Sequence, residues 1–377
     1  MKIQPIIVVL IFLYSTSRGQ NNYSLNVIIS DSVKKDLSFL KKKYPVTLLY
    51  NDTIRLRKEV ETILFDLRRE GFLAASIDSI KKDSLQITAF VYSGDKYYWA
   101  MIRQGNVPVE LLDGTGYRKK LYYGKPLQYE KLALLNTKIL NNCENKGFPF
   151  AAVFLDSVEI KENKISAALS VKKNQFIHVD SIIIKGNIDV SPVYLYNYIG
   201  IAPGDVYKES LLRKISGRLR ELPFVKEIKP SQVFFGEKES KLYLFLENKK
   251  ASQFDGVIGI LPDASNGGKI NLTGEVHLKL QNSLRHGEII ELNWKQLPVK
   301  SQDLKVHVLY PFLLNTPFGI DGSLAIFKKD TTYIDVIKNL GIQYALTGNN
   351  YFKVFINDKQ SDLQSTSGLE NITTLPP

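Results

Sequence analysis

A phenylalanine returns at an interval of seventy-six residues, at Phe72, Phe148 and Phe224, and each return falls inside the same run of features. A stretch rich in Leu and charge comes first, then the Phe, then a strand-like run, a polar turn and a second strand-like run. The first copy reads LRREGFLAASIDSIKKDSLQITAFV from Leu67 to Val91. The second reads NKGFPFAAVFLDSVEIKENKISAALSV from Asn145 to Val171, and the third reads LRELPFVKEIKPSQVFFGEKESKLYLFLEN from Leu219 to Asn248. A repeat this long is one supersecondary unit, so the chain builds several small cores in tandem rather than one large core. The three rings are the repeat markers, and they are expected between helix and sheet.

The physics of one unit is clearest in the third copy. Ile182 to Ile184 is a β-branched apolar run ended by Gly186-Asn187, a turn signal. Ser191-Pro192 opens a helix, with Pro in the first turn, where its missing N–H costs nothing. Gly204, in Ile201-Ala-Pro-Gly-Asp, supplies the positive φ that a break needs. Leu211, Leu212, Ile215 and Leu219 then recur at helical spacing. Phe224, Val225 and Ile228 begin a strand, Gly236 to Ser240 turns it, and Leu242, Leu244 and Leu246 alternate with Tyr243 and Phe245. The order is β-α-α-β-β. It assigns an α+β tandem array over residues 20–97, 98–175 and 176–250.

From Phe254 helical periodicity fades and alternation takes over. Val276, Leu278 and Leu280 alternate with His277, Lys279 and Gln281. Ile290, Leu292 and Trp294 alternate with Glu291, Asn293 and Lys295, and Leu304, Val306 and Val308 with Lys305 and His307. Residues 340–346 and 352–356 continue the pattern. Such strands place apolar residues on one face and polar residues on the other, as in the wall of a membrane barrel. A soluble β-sandwich alternates in the same way, so periodicity alone leaves both open.

The termini and the composition narrow the compartment. Lys2, the apolar run Ile6 to Tyr14 and Ser17-Arg18-Gly19 read as an export signal over residues 1–19, with Gln20 as the new N-terminus. Cys143 is the only cysteine, so neither a disulfide nor a cysteine-based zinc site is available within the chain. The net charge of +12 is spread along the chain and suits anionic lipid head groups or acidic polypeptides; export argues against nucleic acid. The sequence carries no G-x-S-x-G, H-E-x-x-H or phosphate-binding loop, so it is read as no enzyme and as taking no cofactor. His178, His277, His286 and His307 are scattered. Asp263-Ala-Ser-Asn-Gly-Gly lacks the late Glu of a calcium loop and reads as a turn.

Two resemblances add to this. The repeated order, with Gly186-Asn187, Gly204, Tyr207 and Phe224-Val225, resembles a POTRA (polypeptide-transport-associated) domain. Residues Asn282 to Tyr333, with the turns Tyr310-Pro311-Phe312 and Thr316-Pro317-Phe318-Gly319, resemble the opening of a BamA/TamA-superfamily barrel. The fold implied is tandem POTRA repeats followed by an antiparallel transmembrane β-barrel segment over 251–358, with 359–377 as a polar tail or loop. About seven candidate strands are countable, fewer than such barrels close with, and the family's Arg-Gly-aromatic motif is absent. A C-terminally truncated piece, or a degenerate member, is therefore expected.

The resemblance implies an outer-membrane location with the repeats in the periplasm. It implies partners: unfolded outer-membrane or secreted polypeptides, outer-membrane lipids, and accessory periplasmic or lipoprotein partners. It also implies binding of extended clients by strand addition to an exposed edge. Carried onto this sequence, the edges are Ala74 to Ile80 (with Ala74 and Ile77), Ala151 to Val158 (with Ala151 and Val153) and Val225 to Phe234 (with Val225, Ile228, Ser231 and Val233). Clients would pass to a first barrel strand at Phe254 to Leu261, where Gly256 and Gly259 weaken side-chain packing. The alternative is a non-spanning periplasmic or surface scaffold that binds protein partners through its repeats.

Overall fold

The computed structural model describes residues 23–30, 48–50, 53–83, 86–263, 269–297, 301–330 and 332–364. The export signal over 1–19, the centre of the Asp263 turn and the tail beyond residue 364 lie outside the described residues. Contacts divide the chain into two compact units, Met1–Asn142 with Ala152–Lys172 and Cys143–Ala151 with Lys173–Pro377.

Three small sheets share one topology. In the first, β1 (Tyr23–Ile29) runs parallel to β4 (Gln86–Tyr92), β3 (Ser76–Asp83) pairs antiparallel with β4, and β2 (Leu48–Tyr50) flanks β1. Helix α1 (Thr53–Arg69) lays Val60, Ile63 and Leu67, spaced three and four apart, against Leu25, Ile87, Ala89 and Val91. In the second, β5 (Tyr98–Arg103) runs parallel to β7 (Lys164–Lys172) and β6 (Ala152–Lys161) pairs antiparallel with β7. Helices α2 (Val109–Leu112) and α3 (Tyr129–Glu144) lie between β5 and β6 in sequence. In the third, β8 (Ser181–Lys185) runs parallel to β10 (Ser240–Asn248), which pairs antiparallel with β9 (Val225–Phe235).

The third module's helices are α4 (Pro192–Ile199), α5 (Glu209–Leu212) and α6 (Ile215–Glu221). The single helical run expected from Leu211 to Leu219 is therefore two helices, parted at Arg213-Lys214. Leu242, Leu244 and Leu246 are fully buried beneath Leu195, Ile199, Ile215 and Leu219. Gly186 and Gly204 take φ of 107° and 92°, values that side chains disfavour.

The repeat is real, but its third marker is displaced. The Phe72 N–H bonds Leu67 O and its carbonyl accepts from Ala75 N–H. Phe148 makes the same pair of bonds, with Cys143 O and Ala151 N–H. In the third module Leu222 closes this turn, its carbonyl accepting from Val225 N–H, and Phe224 sits just before the strand, where Ala75 and Ala151 stand in the other copies. Phe72 and Phe224 are buried in their cores, whereas Phe148 is half-buried and rests on Phe176, ring centroids 5.0 Å apart.

The C-terminal part is one antiparallel meander, each strand pairing with its sequence neighbours: β11 (Gln253–Asp263), β12 (Lys269–Gln281), β13 (Ile289–Gln296), β14 (Gln302–Tyr310), β15 (Phe318–Lys329), β16 (Tyr333–Thr347) and β17 (Asn350–Leu363). β17 continues through Leu363, so the first residues of the expected polar tail are strand. The α+β modules and the following antiparallel sheet are the fold class that the sequence implies. No helix among the described residues is long and apolar enough to cross a membrane.

Burial sets a graded expectation. Phe72→Ala should cost its module about 3–5 kcal/mol, and Phe148→Ala distinctly less, because its ring already meets solvent. Denaturant-dependent hydrogen exchange of the module amides measures both; equal costs would contradict the packing described.

Candidate functional surfaces

Each module leaves the first strand of its hairpin at a sheet edge: β3, β6 and β9 pair on one side only. Ile77, Val153, Val225, Ile228, Ser231 and Val233 lie in these strands. Ala74 and Ala151 do not, because the turn that ends the preceding helix uses those positions, and the strands start at Ser76 and Ala152. Val225 is buried and Val233 packs against the core, so only Ile228, 49% exposed, presents a large apolar side chain among the six. Each edge carries a register shift: between Ile77 and Ser79, between Asp156 and Glu159, and within Glu227 to Gln232. Bulges kink an edge and shorten its straight run, which protects against indiscriminate pairing. On β9, Pro230 lies inside the irregular stretch and leaves Gln232–Phe235 as the regular outer run.

The meander has two chemically opposite faces. Directly paired residues share a face, so Leu278, Leu292, Val306 and Leu324 form one row and Leu280, Ile290 and Val308 another. Val276, Trp294, Leu304 and Ile326 form a third. Leu340, Ile342, Val354 and Ile356 are 62, 60, 76 and 75% exposed, so no second layer covers this face there, as a sandwich would require.

The opposite face carries a chain of polar and charged contacts. Lys279 meets Glu291 at 2.6 Å, Glu291 lies 3.8 Å from His307, and His307 lies 3.1 Å from Asp321. Lys353 meets Asp321 at 2.5 Å from two strands away. The strand between them offers Gly341, where a Cβ would stand 3.0 Å from Lys353 Cε. The missing side chain is the gap that Lys353 lies across. At the sheet's first edge, Phe254, Val257, Ile258 and Ile260 are strongly exposed on β11, with Gly256 and Gly259 between them.

One end of this sheet is fastened to the third module. In the β12–β13 turn, Arg285 pairs with Asp189 at 2.9 Å, its carbonyl accepts from Ser191 N–H, and Asn282 donates to Asp189 O. The Phe312 ring of Tyr310-Pro311-Phe312 meets Tyr194 edge-on at 5.6 Å. In the β16–β17 turn, Gly348 N–H donates to Tyr198 O, and Asn349 N–H donates to a Glu221 carboxylate oxygen that also accepts from the Tyr198 hydroxyl. Burial, then the bond to Glu221, holds the Tyr198 phenol well above its ordinary pKa, so it remains a donor at physiological pH. A cavity of about 210 Å³ remains between Tyr194, Phe224, Phe312 and Gln343, so polar latches and the Phe312 ring, which packs against the module's core, make the join.

Residues 177–248 match the family model described as POTRA, the surface antigen variable number repeat. The third module is a POTRA domain. The other two modules repeat its sheet, and an amphipathic antiparallel sheet follows the third. Solved structures similar in outline include BamA from Haemophilus ducreyi lacking POTRA domains 1-3 (14% identity, TM-score 0.47, covering 70% of this chain and 50% of that one). CdiB from Acinetobacter baumannii follows at 14% identity and TM-score 0.42, covering 82% and 61%. The N-terminal domain of Omp85 from Thermosynechococcus elongatus shows 11% identity and TM-score 0.27, covering 60% and 97%. The chain thus spans about half of that BamA chain. No curated protein matches the sequence.

The latch residues of the POTRA domain went unread in the sequence because nothing local marks them: Asp189 and Arg285, like Glu221 and Asn349, are distant in the chain and ordinary in composition. Gly287 has a φ of 71°, and a Cβ there would overlap the Tyr194 ring. Gly287→Val should therefore wedge the turn off the POTRA domain. Disulfide formation between Asp189→Cys and Arg285→Cys should fall sharply in that background; unchanged cross-linking would show that the contact is dispensable.

Proposed function

We propose that the chain acts in outer-membrane protein assembly or secretion, with the POTRA modules in the periplasm and the antiparallel sheet in the membrane. The modules bind extended polypeptide by strand addition at β3, β6 and β9, and the last of them passes it to β11. The observation that carries this reading is the direct run from POTRA domain to amphipathic sheet: four residues, Lys249 to Ser252, separate β10 from β11. Five peptide steps span at most roughly 17 Å, so a segment held by the third module lies within reach of the first sheet strand.

The chemistry of strand addition suits clients of varied sequence. Main-chain bonds supply the affinity, and alternate side chains only modulate it. The highly exposed β11 keeps one backbone edge unpaired among the described residues, and its two glycines reduce the cross-strand contacts that would hold it to β12. Unfolded outer-membrane or secreted polypeptides are the proposed partners, with outer-membrane lipids against the apolar face. Nothing in this mechanism makes or breaks a covalent bond, which fits the reading that the protein is no enzyme. The exposed apolar rows argue against a non-spanning scaffold, which would have to keep them in water.

Proline at Ser231 or Val233 removes a donor and places a ring in the ladder, whereas alanine leaves the backbone intact. The Pro variants should lower outer-membrane barrel levels in cells complemented with the full-length protein, and the Ala variants should not. Circular dichroism checks that both sets fold. Equal activity of folded Pro and Ala variants would remove strand addition at this edge.

A further inference from the structure

The POTRA domain's sheet has a second face that folding does not account for. The helices cover the row Leu242, Leu244 and Leu246. The opposite row of β10 carries Tyr243 and Phe245, whose rings stack 6.4 Å apart at 18°. By register, Ile183 and Lys185 of β8 and Lys229, Gln232 and Phe234 of β9 share that face. Phe234 is 56% exposed, and Lys229 Nζ lies 3.9 Å from the Phe245 centroid. A three-stranded sheet does not need these rings: the second module has Ser166, Ala168 and Ser170 in the corresponding row of β7.

The charges point to an acidic partner. Lys226 and Lys241 on this face already hold Glu247 and Glu239, at 3.2 and 2.5 Å. Among the described residues, no carboxylate pairs with Lys185 or Lys229. We propose that this face recognises an extended polypeptide segment whose acidic and aromatic side chains fall on one row, two residues apart. The inference rests on strand addition at β9. A strand added along the regular run Gln232–Phe235 lies about 4.8 Å away, with every second side chain level with Gln232 and Phe234, and its continuation on that row passes Lys229 across the bulge at Pro230. An acidic side chain would then meet Lys229, and an aromatic one would extend the platform of Phe234 and Tyr243. Side chains on the other row would lie beside Ser231 and Val233, which offer neither charge nor an open ring.

The test uses the full chain in detergent and fluorescein-labelled peptides read by anisotropy. One peptide alternates Glu and Phe with Thr so that Glu and Phe share a row; a second is its scramble; a third is the first with N-methyl groups blocking backbone pairing. The first should bind best. Lys229→Glu and the double change Tyr243→Ser/Phe245→Ser should each weaken it about tenfold, and Lys229→Glu should regain affinity for a peptide with Lys in place of Glu. Circular dichroism confirms folding. If the first peptide binds and the third does not, but the platform variants bind as tightly as the unaltered chain, strand addition stands and the platform inference fails. If the methylated peptide binds equally well and the platform variants do not, strand addition fails at this edge, and with it the register on which the inference depends. Binding to anionic phospholipid vesicles without binding to any peptide would also overturn it.

Discussion

A strand has two hydrogen-bonding edges, and whether an unpaired one is tolerable depends on its solvent. In water the orphan N–H and C=O groups are solvated and remain available to a partner; in hydrocarbon each costs several kcal/mol. The three modules meet the first case. They leave β3, β6 and β9 open but kink them with register shifts and, on β9, with Pro230. The meander, on the proposed reading, meets the second. Its interior ladders are continuous from β11 to β17, and its side chains sort into an apolar face and a face of ion pairs.

The join between the two regimes decides whether they can work together. Three turns of the sheet touch the POTRA domain, through Arg285 to Asp189, Phe312 to Tyr194, and Asn349 to Glu221. The exposed Arg285–Asp189 pair contributes only about 0–1 kcal/mol. The join combines directed polar bonds with the packing of the Phe312 ring, and so is specific in geometry. The chain of contacts on the polar face is different in kind. Lys353 reaches Asp321 across Gly341 and ties β17 to β15, so the strand at one open edge is held by more than its ladder.

Sequence periodicity reached the module order and the two faces of the meander because both are local. Alternation along β12, β13 and β14 is a property of neighbouring residues, and Leu242, Leu244 and Leu246 announce their buried row in the same way. What it missed depends on pairing across distance. Phe224 keeps the interval of the other two markers, yet Leu222 has taken over the turn, because a shorter third module shifts the backbone but still needs a ring in its core. Ala74 and Ala151 read as strand because alanine carries no turn signature. Glu221, Asp189 and Gly341 are ordinary residues until the fold sets them opposite Asn349, Arg285 and Lys353.

The central claim is that the apolar rows of the meander face lipid and the ion-pair face meets water. Nitroxide labels placed singly at Leu292 and Val306, and at Asn293 and Lys305, in the full-length protein in bilayers test it by collision with oxygen and with a water-soluble nickel chelate. The account predicts strong oxygen broadening at the first two positions and strong nickel broadening at the second two, alternating residue by residue. Equal nickel access at all four, or protection of Leu292 and Val306 from both reagents, would contradict it.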